Sequence, residues 1–458
     1  MRSSKSEFLA VYGRRRVGKT FLIRSYFDKK FDFYATGLAK GNTQQQLNNF
    51  TVFLNHAFAV EHPVPANWLA AFNLLIRELE RAQTNEKQVI FLDEMPWMDT
   101  KKSDFMMGLE FFWNSWASAQ DHIILIVCGS AASWMINNLL HNTGGLYNRV
   151  TERMKIEPFT LQEAEAYFLS RNIVLDRYQI VQLYMVMGGI PYYLDQVEAG
   201  KSAMQNVEDL CFRNDGKLRK EFIYIFSSLF RNADRHEAVL RTLFEKGGAL
   251  TREDLIKHSP FSSGGSVSKV LSELEESGFI TVFPKFGAQK TNLVYAVSDF
   301  YTLFYLRFIE KAGKYESNIW LNEIDNPAVR AWSGSAFEQI CFAHVAQIKK
   351  ALGISGVSST TCFWYAKGDT DVKGSQIDLI IDRRDQVINL FEIKFSINKI
   401  TITKDYDAVL RNKIASFKTA ANTKKSVFLT LLTTHGLKEN EYARSAIQNE
   451  LTMDDLFG

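Results

Sequence analysis

The strongest constraint on this chain is a loop near its start, Gly13-Arg14-Arg15-Arg16-Val17-Gly18-Lys19-Thr20. An apolar run precedes the loop at 8–12, and a helical pattern follows it at 21–27. The glycines allow backbone N–H groups to point at phosphate oxygens. The lysine supplies an ammonium for the outer phosphates, and the threonine supplies a hydroxyl for a metal ion. The loop therefore predicts a binding site for a nucleoside triphosphate, expected to be ATP with Mg²⁺, to which all eight residues contribute.

Two further apolar runs end in polar residues that suit hydrolysis. The run at 89–92 ends in Asp93 and Glu94, and the run at 123–128 leads to Ser130. We expect Asp93 to orient Mg²⁺ through its water shell, Glu94 to polarise the attacking water, and Ser130 to sense the γ-phosphate. The alternative is that the two acids only cap the end of a strand.

An arginine from the segment 144–153 is a candidate for stabilising charge during phosphoryl transfer. A guanidinium at Arg149 would offset the negative charge that develops in the transition state. The plain alternative, a solvated surface arginine, stays open. Action on a second copy of the chain would require self-association, whereas action within one chain would not.

The pattern of elements predicts an α/β fold. Short apolar runs alternate with helical patterns up to residue 195, which favours a parallel sheet with helices on both faces. Three helices followed by a two-stranded hairpin then suggest a winged helix-turn-helix. The predicted domains are a P-loop ATPase domain at 1–195, a helical connector at 196–236, a winged helix-turn-helix at 237–300 and a C-terminal α/β domain at 301–458.

Composition excludes several classes of protein. A formal net charge of +3 on 458 residues is too small to hold a polyanion, so any contact with nucleic acid must come from local patches. No apolar run is long enough for a signal peptide or a membrane span, which predicts a cytoplasmic protein. The four cysteines lack metal-ligand spacing and are expected to be reduced, buried thiols: Cys128, Cys211, Cys341 and Cys362.

Several motifs together resemble the archaeal-type ATPase family, a branch of the P-loop NTPases related to AAA+ and signal-transducing ATPases. The resemblance covers residues 8 to about 230. It implies ATP binding and a helical subdomain that reports the nucleotide state, with Pro191 in its Gly-x-Pro segment. The motifs are the phosphate-binding loop, Leu92-Asp93-Glu94, Gly129-Ser130, Gly144-Gly145-Leu146-Tyr147-Asn148-Arg149, Pro158-Phe159 and Gly188-Gly189-Ile190-Pro191-Tyr192-Tyr193-Leu194.

A second set of charged residues lies near the C-terminus. Asp378 begins one strand-like run, and Glu392 and Lys394, two residues apart, fall on one face of the next. The set resembles the Asp…Glu-x-Lys core of PD-(D/E)xK nucleases, which implies that Asp378 and Glu392 hold a divalent metal while Lys394 positions or activates water. Glu338, on the preceding helical stretch, would add a third carboxylate to the metal. The alternative is a pair of charged strands exposed to solvent.

The candidate recognition helix of the winged helix carries mixed signals. Residues 266–277 contain one lysine and three glutamates, whereas helices that read DNA present Lys, Arg, Asn or Gln. Direct contact with DNA and a purely regulatory packing role both stay open.

The sequence as a whole predicts an Mg-dependent ATPase that acts as a switch for a nuclease-like C-terminal domain, with DNA or another nucleic acid as partner. The alternative is a signalling or regulatory ATPase whose C-terminal domain is a catalytically inactive scaffold for a protein partner.

Overall fold

The computed structural model describes most of the chain, and its residues divide into two compact units. Unit 1 comprises Met1–Pro158, Tyr224–His236 and Lys269–Gly278, and unit 2 comprises Phe159–Ile223, Glu237–Ser268 and Phe279–Gly458. The domain boundaries expected from the sequence stay predictions. The described residues are 5–82, 86–141, 143–230, 232–258, 264–284, 286–287, 293–313, 319–323, 326–366 and 375–458.

Unit 1 is built on a five-stranded sheet in which every pairing is parallel, in the order β2-β3-β4-β1-β5. This is the sheet typical of P-loop ATPases, and the predicted fold class is confirmed for this unit. The central strands are apolar on both faces because helices cover both faces of the sheet. The strands are β1 (Glu7–Gly13), β2 (Phe33–Thr36), β3 (Gln88–Asp93), β4 (Ile123–Gly129) and β5 (Glu152–Ile156).

Alternate residues of these strands contribute to two separate cores, as the period of two in a strand requires. Phe8, Ile90 and Leu125 belong to a large cluster of buried aromatic and aliphatic side chains, whereas Leu9 and Phe91 belong to a smaller cluster. The helices here are α1 (Lys19–Tyr26), α2 (Thr43–Phe58), α3 (Trp68–Arg81), α4 (Met95–Met98), α5 (Phe105–Ser115) and α6 (Ala132–Trp134), with a 3₁₀ turn at Ala117–Ala119 and a π-helical turn at Met135–Leu140.

The middle of the chain is mainly helical. The three predicted helices and the hairpin are present, and a short additional strand pairs with the hairpin in the order β6-β8-β7. The elements are α7 (Leu161–Ser170), α8 (Arg177–Met187), α9 (Pro191–Leu194), α10 (Ala203–Val207), α11 (Glu221–Leu229), α12 (Ala233–Lys246), β6 (Leu250–Thr251), α13 (Arg252–His258), α14 (Gly264–Glu276), β7 (Ile280–Pro284) and β8 (Leu293–Val297), with a π-helical turn at Glu208–Phe212.

The C-terminal part of unit 2 contains a mixed five-stranded sheet in the order β13-β12-β11-β10-β9. β10 pairs antiparallel with both β9 and β11, whereas β12 pairs parallel with both β11 and β13. The helix α19 connects β11 to β12. The elements are α15 (Phe300–Phe304), α16 (Ile319–Asn322), α17 (Pro327–Ala343), α18 (Val345–Ala351), β9 (Ser359–Ala366), β10 (Ser375–Arg383), β11 (Val387–Lys394), α19 (Lys404–Ala421), β12 (Ser426–Thr433), α20 (Glu441–Ala446) and β13 (Asn449–Thr452), with a π-helical turn at Tyr305–Ile309 and a 3₁₀ turn at Met453–Phe457.

Two predictions from the sequence concern the state of the cysteines and the absence of a membrane span. The four cysteines are buried and form no disulfide, as expected. Within the described residues, none of the helices combines the length and apolar character needed to cross a bilayer.

The tight contact at Gly189 generates a prediction about stability. A Cβ atom at this position would stand 1.8 Å from the carbonyl oxygen of Phe159, whereas a Cβ at Gly334, inside α17, would meet nothing within 4 Å. We expect Gly189→Ala to destabilise the protein by about 1–3 kcal/mol because backbone must shift. Gly334→Ala, the matched control, should be neutral or stabilising by up to about 1 kcal/mol because alanine favours a helix. Thermal melting of both variants tests this, and equal melting temperatures would contradict it.

Candidate functional site

The phosphate-binding loop joins the end of β1 to the start of α1. Gly18 is the N-cap of α1 and has a φ of 87°, and Arg16 also has a positive φ of 76°. The first helical hydrogen bond runs from the Leu22 N–H to the Gly18 carbonyl, so the N–H groups before it have no partner within the helix. Such a helix start, preceded by a left-handed glycine, is suited to binding an anion.

Lys19 is buried at the base of this loop, although lysine is rarely buried without partners. Its Nζ donates hydrogen bonds to the Gly13 carbonyl at 3.0 Å, the Arg14 carbonyl at 2.9 Å and Ser130 Oγ at 3.0 Å. Burial lowers the pKa of Lys19, and the nearby Glu94 carboxylate partly offsets that effect. All three N–H groups of the ammonium have acceptors, so a phosphate oxygen would replace one of them.

The two predicted catalytic acids lie beside the loop. Thr20 Oγ1 donates to Asp93, at 2.9 Å from Oδ2 and 3.1 Å from Oδ1. Ser130 holds Glu94 through two contacts: its hydroxyl lies 2.6 Å from one carboxylate oxygen, and its backbone N–H lies 3.1 Å from the other. The parallel register brings these side chains together, because the carboxyl ends of β1, β3 and β4 meet at one edge of the sheet.

The remaining predicted residues of this site have different environments. Arg14 and Val17 are buried, whereas Arg15 and Arg16 are half-buried. Arg149 is exposed on a turn, where its N–H donates to the Leu146 carbonyl. Among the described residues, no hydrogen bond or ion pair joins its guanidinium to Lys19, Thr20, Asp93, Glu94 or Ser130. The role of Arg149 therefore stays a prediction.

The donor set fits a nucleoside triphosphate with a divalent cation. The Thr20 hydroxyl gives its hydrogen to Asp93, which leaves its oxygen lone pairs available to a metal ion. Asp93 offers carboxylate oxygens, the ligands that Mg²⁺ prefers. The backbone N–H groups of the loop and the Lys19 ammonium are the donors expected for phosphate.

A second polar cluster forms where β10 and β11 pair in unit 2. Lys394 Nζ lies 2.8 Å from Glu392 Oε1, so the two side chains share one face of β11. The backbone N–H of Ile393 donates to Asp378 Oδ2 at 3.3 Å, which places the Asp378 carboxylate next to the same strand. The three residues of the predicted Asp…Glu-x-Lys set are therefore neighbours.

Two residues of α19 belong to this cluster and were missed in the sequence analysis. Lys413 Nζ lies 2.6 Å from Glu392 Oε2, and the Tyr406 hydroxyl donates to Glu392 Oε1 at 2.9 Å. Their signal in the sequence is helical spacing, because Tyr406, Leu410, Lys413 and Phe417 recur at intervals of three and four on one face. The lysine stands where an apolar residue would be expected.

The charges of the cluster shift its carboxyl groups in opposite directions. Burial and the Asp378 carboxylate raise the pKa of Glu338 to about 7, and burial and Glu392 raise the pKa of Asp378. Burial would raise the pKa of Glu392 too, but Lys394 and Lys413 outweigh it and hold that pKa below its usual value. The lowered pKa of Glu392 therefore follows from its contacts with two lysines, whereas burial and neighbouring carboxylates raise the pKa of Glu338 and Asp378.

The described residues contain no group of three or more His, Cys, Asp or Glu side chains that could hold a metal ion as they stand. Glu338, Asp378 and Glu392 interact electrostatically, yet the hydrogen-bonded partners of Glu392 are Lys394, Lys413 and Tyr406. The metal predicted for this cluster stays a prediction.

The candidate recognition helix, α14, carries partly paired charges. Glu273 lies 2.7 Å from His236 Nε2 and 3.9 Å from Lys269 Nζ. Lys269 is largely exposed, so it is available to a phosphate, but the glutamate beside it opposes that contact. Direct contact with DNA and a purely regulatory packing role therefore both stay open for this helix.

Comparison with known proteins identifies the first part of the chain. Residues 1–197 match the family described as an ATPase domain predominantly from Archaea. The match supports the predicted ATP-binding, P-loop ATPase domain in this part of the chain.

The chain is also similar, at low sequence identity, to individual proteins and solved structures. The chain is 23% identical over 401 residues to an uncharacterized protein of Methanocaldococcus jannaschii, covering 86% of this chain and 84% of that protein. Among solved structures, it is similar to a Walker-type ATPase of Pyrococcus abyssi, with a TM-score of 0.46, 14% identity and coverage of 67% and 91% of the two chains. It is also similar to the ORC2 protein of Aeropyrum pernix, with a TM-score of 0.41, 13% identity and coverage of 67% and 86%.

The raised pKa of Glu338 generates a prediction about pH. The pKa of this carboxyl rises from 4.5 in the unfolded chain to about 7 in the folded protein. Its protonated form therefore stabilises the folded state relative to its ionised form. Its contribution to stability therefore falls as pH rises from 4.5 to about 7 and then stays level. Glu338→Gln, which is neutral throughout, should remove this dependence. The difference in melting temperature between wild type and variant should decline across that range, and a constant difference would contradict the prediction.

Proposed function

We propose that this protein is an Mg-dependent ATP-hydrolysing switch whose nucleotide state controls a nuclease-like C-terminal domain that acts on DNA. The observation that carries the ATPase half is the network in which Ser130 joins Lys19 to Glu94 while Thr20 binds Asp93. These are the groups that phosphoryl transfer to water requires, assembled at one edge of the sheet.

Each residue of the network has a distinct role in the proposal. The loop N–H groups and Lys19 bind the phosphates, and Thr20 and Asp93 hold Mg²⁺, which when bound would neutralise charge on the phosphate oxygens. Glu94 orients and polarises the attacking water, and Ser130 meets the γ-phosphate. Because Ser130 also holds both oxygens of Glu94, its hydroxyl links phosphate contact to the position of the base.

The nuclease half rests on the cluster around Glu392. Asp378, Glu392 and Lys394 lie together on adjacent antiparallel strands, and Glu338 interacts electrostatically with all three. In this proposal the acids bind a divalent cation and Lys394 positions the water that attacks a phosphodiester. The partner is DNA or another nucleic acid, since a nuclease-like domain needs a polynucleotide substrate.

A second candidate is favoured by the same cluster. Both oxygens of Glu392 are engaged by Lys394, Lys413 and Tyr406, which suits a carboxylate with a structural role. The protein would then be a regulatory ATPase whose C-terminal domain is an inactive scaffold for a protein partner.

The ATPase proposal predicts that binding and hydrolysis can be separated. Lys19→Ala should weaken binding of Mg·ATP by at least about 100-fold because the buried ammonium is lost. Glu94→Gln should bind Mg·ATP but hydrolyse it at least about 100-fold more slowly, since the amide cannot accept a proton. Titration calorimetry and phosphate release measure the two effects.

Surface residues of the same domain provide matched controls. Lys30→Ala removes an exposed lysine that pairs with Asp28, and Glu61→Gln alters an exposed glutamate. Both variants should behave as wild type. Unchanged turnover in Glu94→Gln would rule out Glu94 as the base, and unchanged binding in Lys19→Ala would rule out the nucleotide site itself.

The nuclease proposal predicts DNA cleavage that depends on the cluster. In Mg²⁺ or Mn²⁺, Glu392→Ala and Lys394→Ala should each cleave DNA at least about 100-fold more slowly than wild type. Glu439→Ala, which removes an exposed carboxylate paired with Arg444, is the control and should cleave as wild type does. Absence of cleavage by the wild type, or equal rates in all four proteins, would favour the scaffold.

A further inference from the structure

The inward face of α19 contains one residue that breaks its apolar pattern. Leu410 and Phe417 are completely buried in the core beneath the sheet, and Lys413 lies on the same face between them. A lysine rarely takes such a position unless a carboxylate accepts its ammonium.

That carboxylate is Glu392, which is only 3% exposed. Lys413 Nζ lies 2.6 Å from Oε2, while Lys394 Nζ at 2.8 Å and the Tyr406 hydroxyl at 2.9 Å share Oε1. Oε1 therefore has two donors, whereas Lys413 is the one hydrogen-bonded partner that the described residues supply to Oε2.

We propose that Lys413 is the resident counter-ion of this cluster, and that its ammonium occupies on Glu392 Oε2 the place that a divalent cation would take. The inference rests on the proposed metal-dependent function and deepens it, because it names what must leave before a metal can enter. An ammonium and a divalent cation on one carboxylate oxygen would repel each other strongly in a buried site, so binding of the metal favours departure of Lys413.

The surrounding charges support an exchangeable counter-ion. Three carboxyl groups, Glu338, Asp378 and Glu392, interact with two ammonium groups, Lys394 and Lys413. Without Lys413 a single lysine would face all three acids, and the excess negative charge would attract a cation. Tyr406 would keep Glu392 in place during the exchange, because its hydroxyl binds the other oxygen.

The experiment measures binding of Mn²⁺ to the full chain, without nucleotide or DNA, by electron paramagnetic resonance. Lys413→Gln should bind Mn²⁺ at least about tenfold more tightly than wild type, because the cation no longer displaces a charged hydrogen bond. Mn²⁺ should also raise the melting temperature of Lys413→Gln more than that of the wild type. Lys418→Gln, an exposed lysine on the same helix, should match wild type.

Lys413→Met provides a second variant, because its unbranched apolar side chain suits the inward face of α19. It should bind Mn²⁺ as Lys413→Gln does. Equal affinity in wild type and both variants, or no binding by any of them, would overturn the inference. Loss of cooperative melting in both variants would also overturn it, because the ammonium would then be indispensable to the fold rather than exchangeable.

The measurements distinguish failure of the proposed role of Lys413 from failure of the nuclease proposal. Tighter Mn²⁺ binding by the variants, with no DNA cleavage by any protein, would support the role of Lys413 and reject the nuclease. Cleavage that depends on Glu392 and slows in Lys413→Gln, with unchanged Mn²⁺ affinity, would support the nuclease and reject this role.

Discussion

The hydroxyl of Ser130 joins a buried ammonium to a carboxylate at the edge of the parallel sheet, and the arrangement of the nucleotide site depends on this contact. It accepts from Lys19 and donates to Glu94, so one oxygen atom satisfies two groups that are costly to bury alone. The contact is possible because β4 lies between β1 and β3, which brings the ends of three strands that are distant in sequence to one place. The fold and the site are therefore consequences of the same strand order.

The C-terminal cluster also buries an ionisable group, here a carboxylate rather than an ammonium. Glu392 is as deeply buried as Lys19, and lysines from β11 and α19 neutralise it. A buried carboxylate without such partners would protonate instead, as the raised pKa of Glu338 illustrates. The pKa values of the three acids thus shift in different directions, and the one that falls belongs to Glu392, the acid that the ammonium groups contact.

The sequence predicted those features that depend on local pattern. The apolar runs at β1, β3 and β4 were recognisable because strands buried on both faces are continuously apolar. The strand β5 was missed because it lies at the sheet edge, where Glu152, Arg153 and Lys155 are exposed and no apolar run is needed. β6 was missed because two residues carry no periodicity.

The site residues also divide into those that a local motif identifies and those that only the fold brings together. Lys19, Thr20, Asp93 and Glu94 could be named because a motif fixes their position relative to a strand or a helix. Lys413 and Tyr406 could not, because their contacts with Glu392 span 21 and 14 residues and depend on how α19 packs against the sheet. A lysine at an inward position of an amphipathic helix was the available signal, and it reads equally well as a long side chain reaching solvent.

The two sites differ in what an incoming ligand must displace. At the loop, a phosphate oxygen would replace a neutral carbonyl or hydroxyl beside Lys19, so the ammonium would exchange a neutral acceptor for an anionic one. At the proposed metal site, a cation would replace an ammonium already in contact with Glu392, so one favourable ion contact would be exchanged for another. Under these proposals, affinity for ATP depends on the loop itself, whereas affinity for metal depends on how readily Lys413 leaves. The intrinsic affinities of the two proposed sites should for this reason depend on different residues.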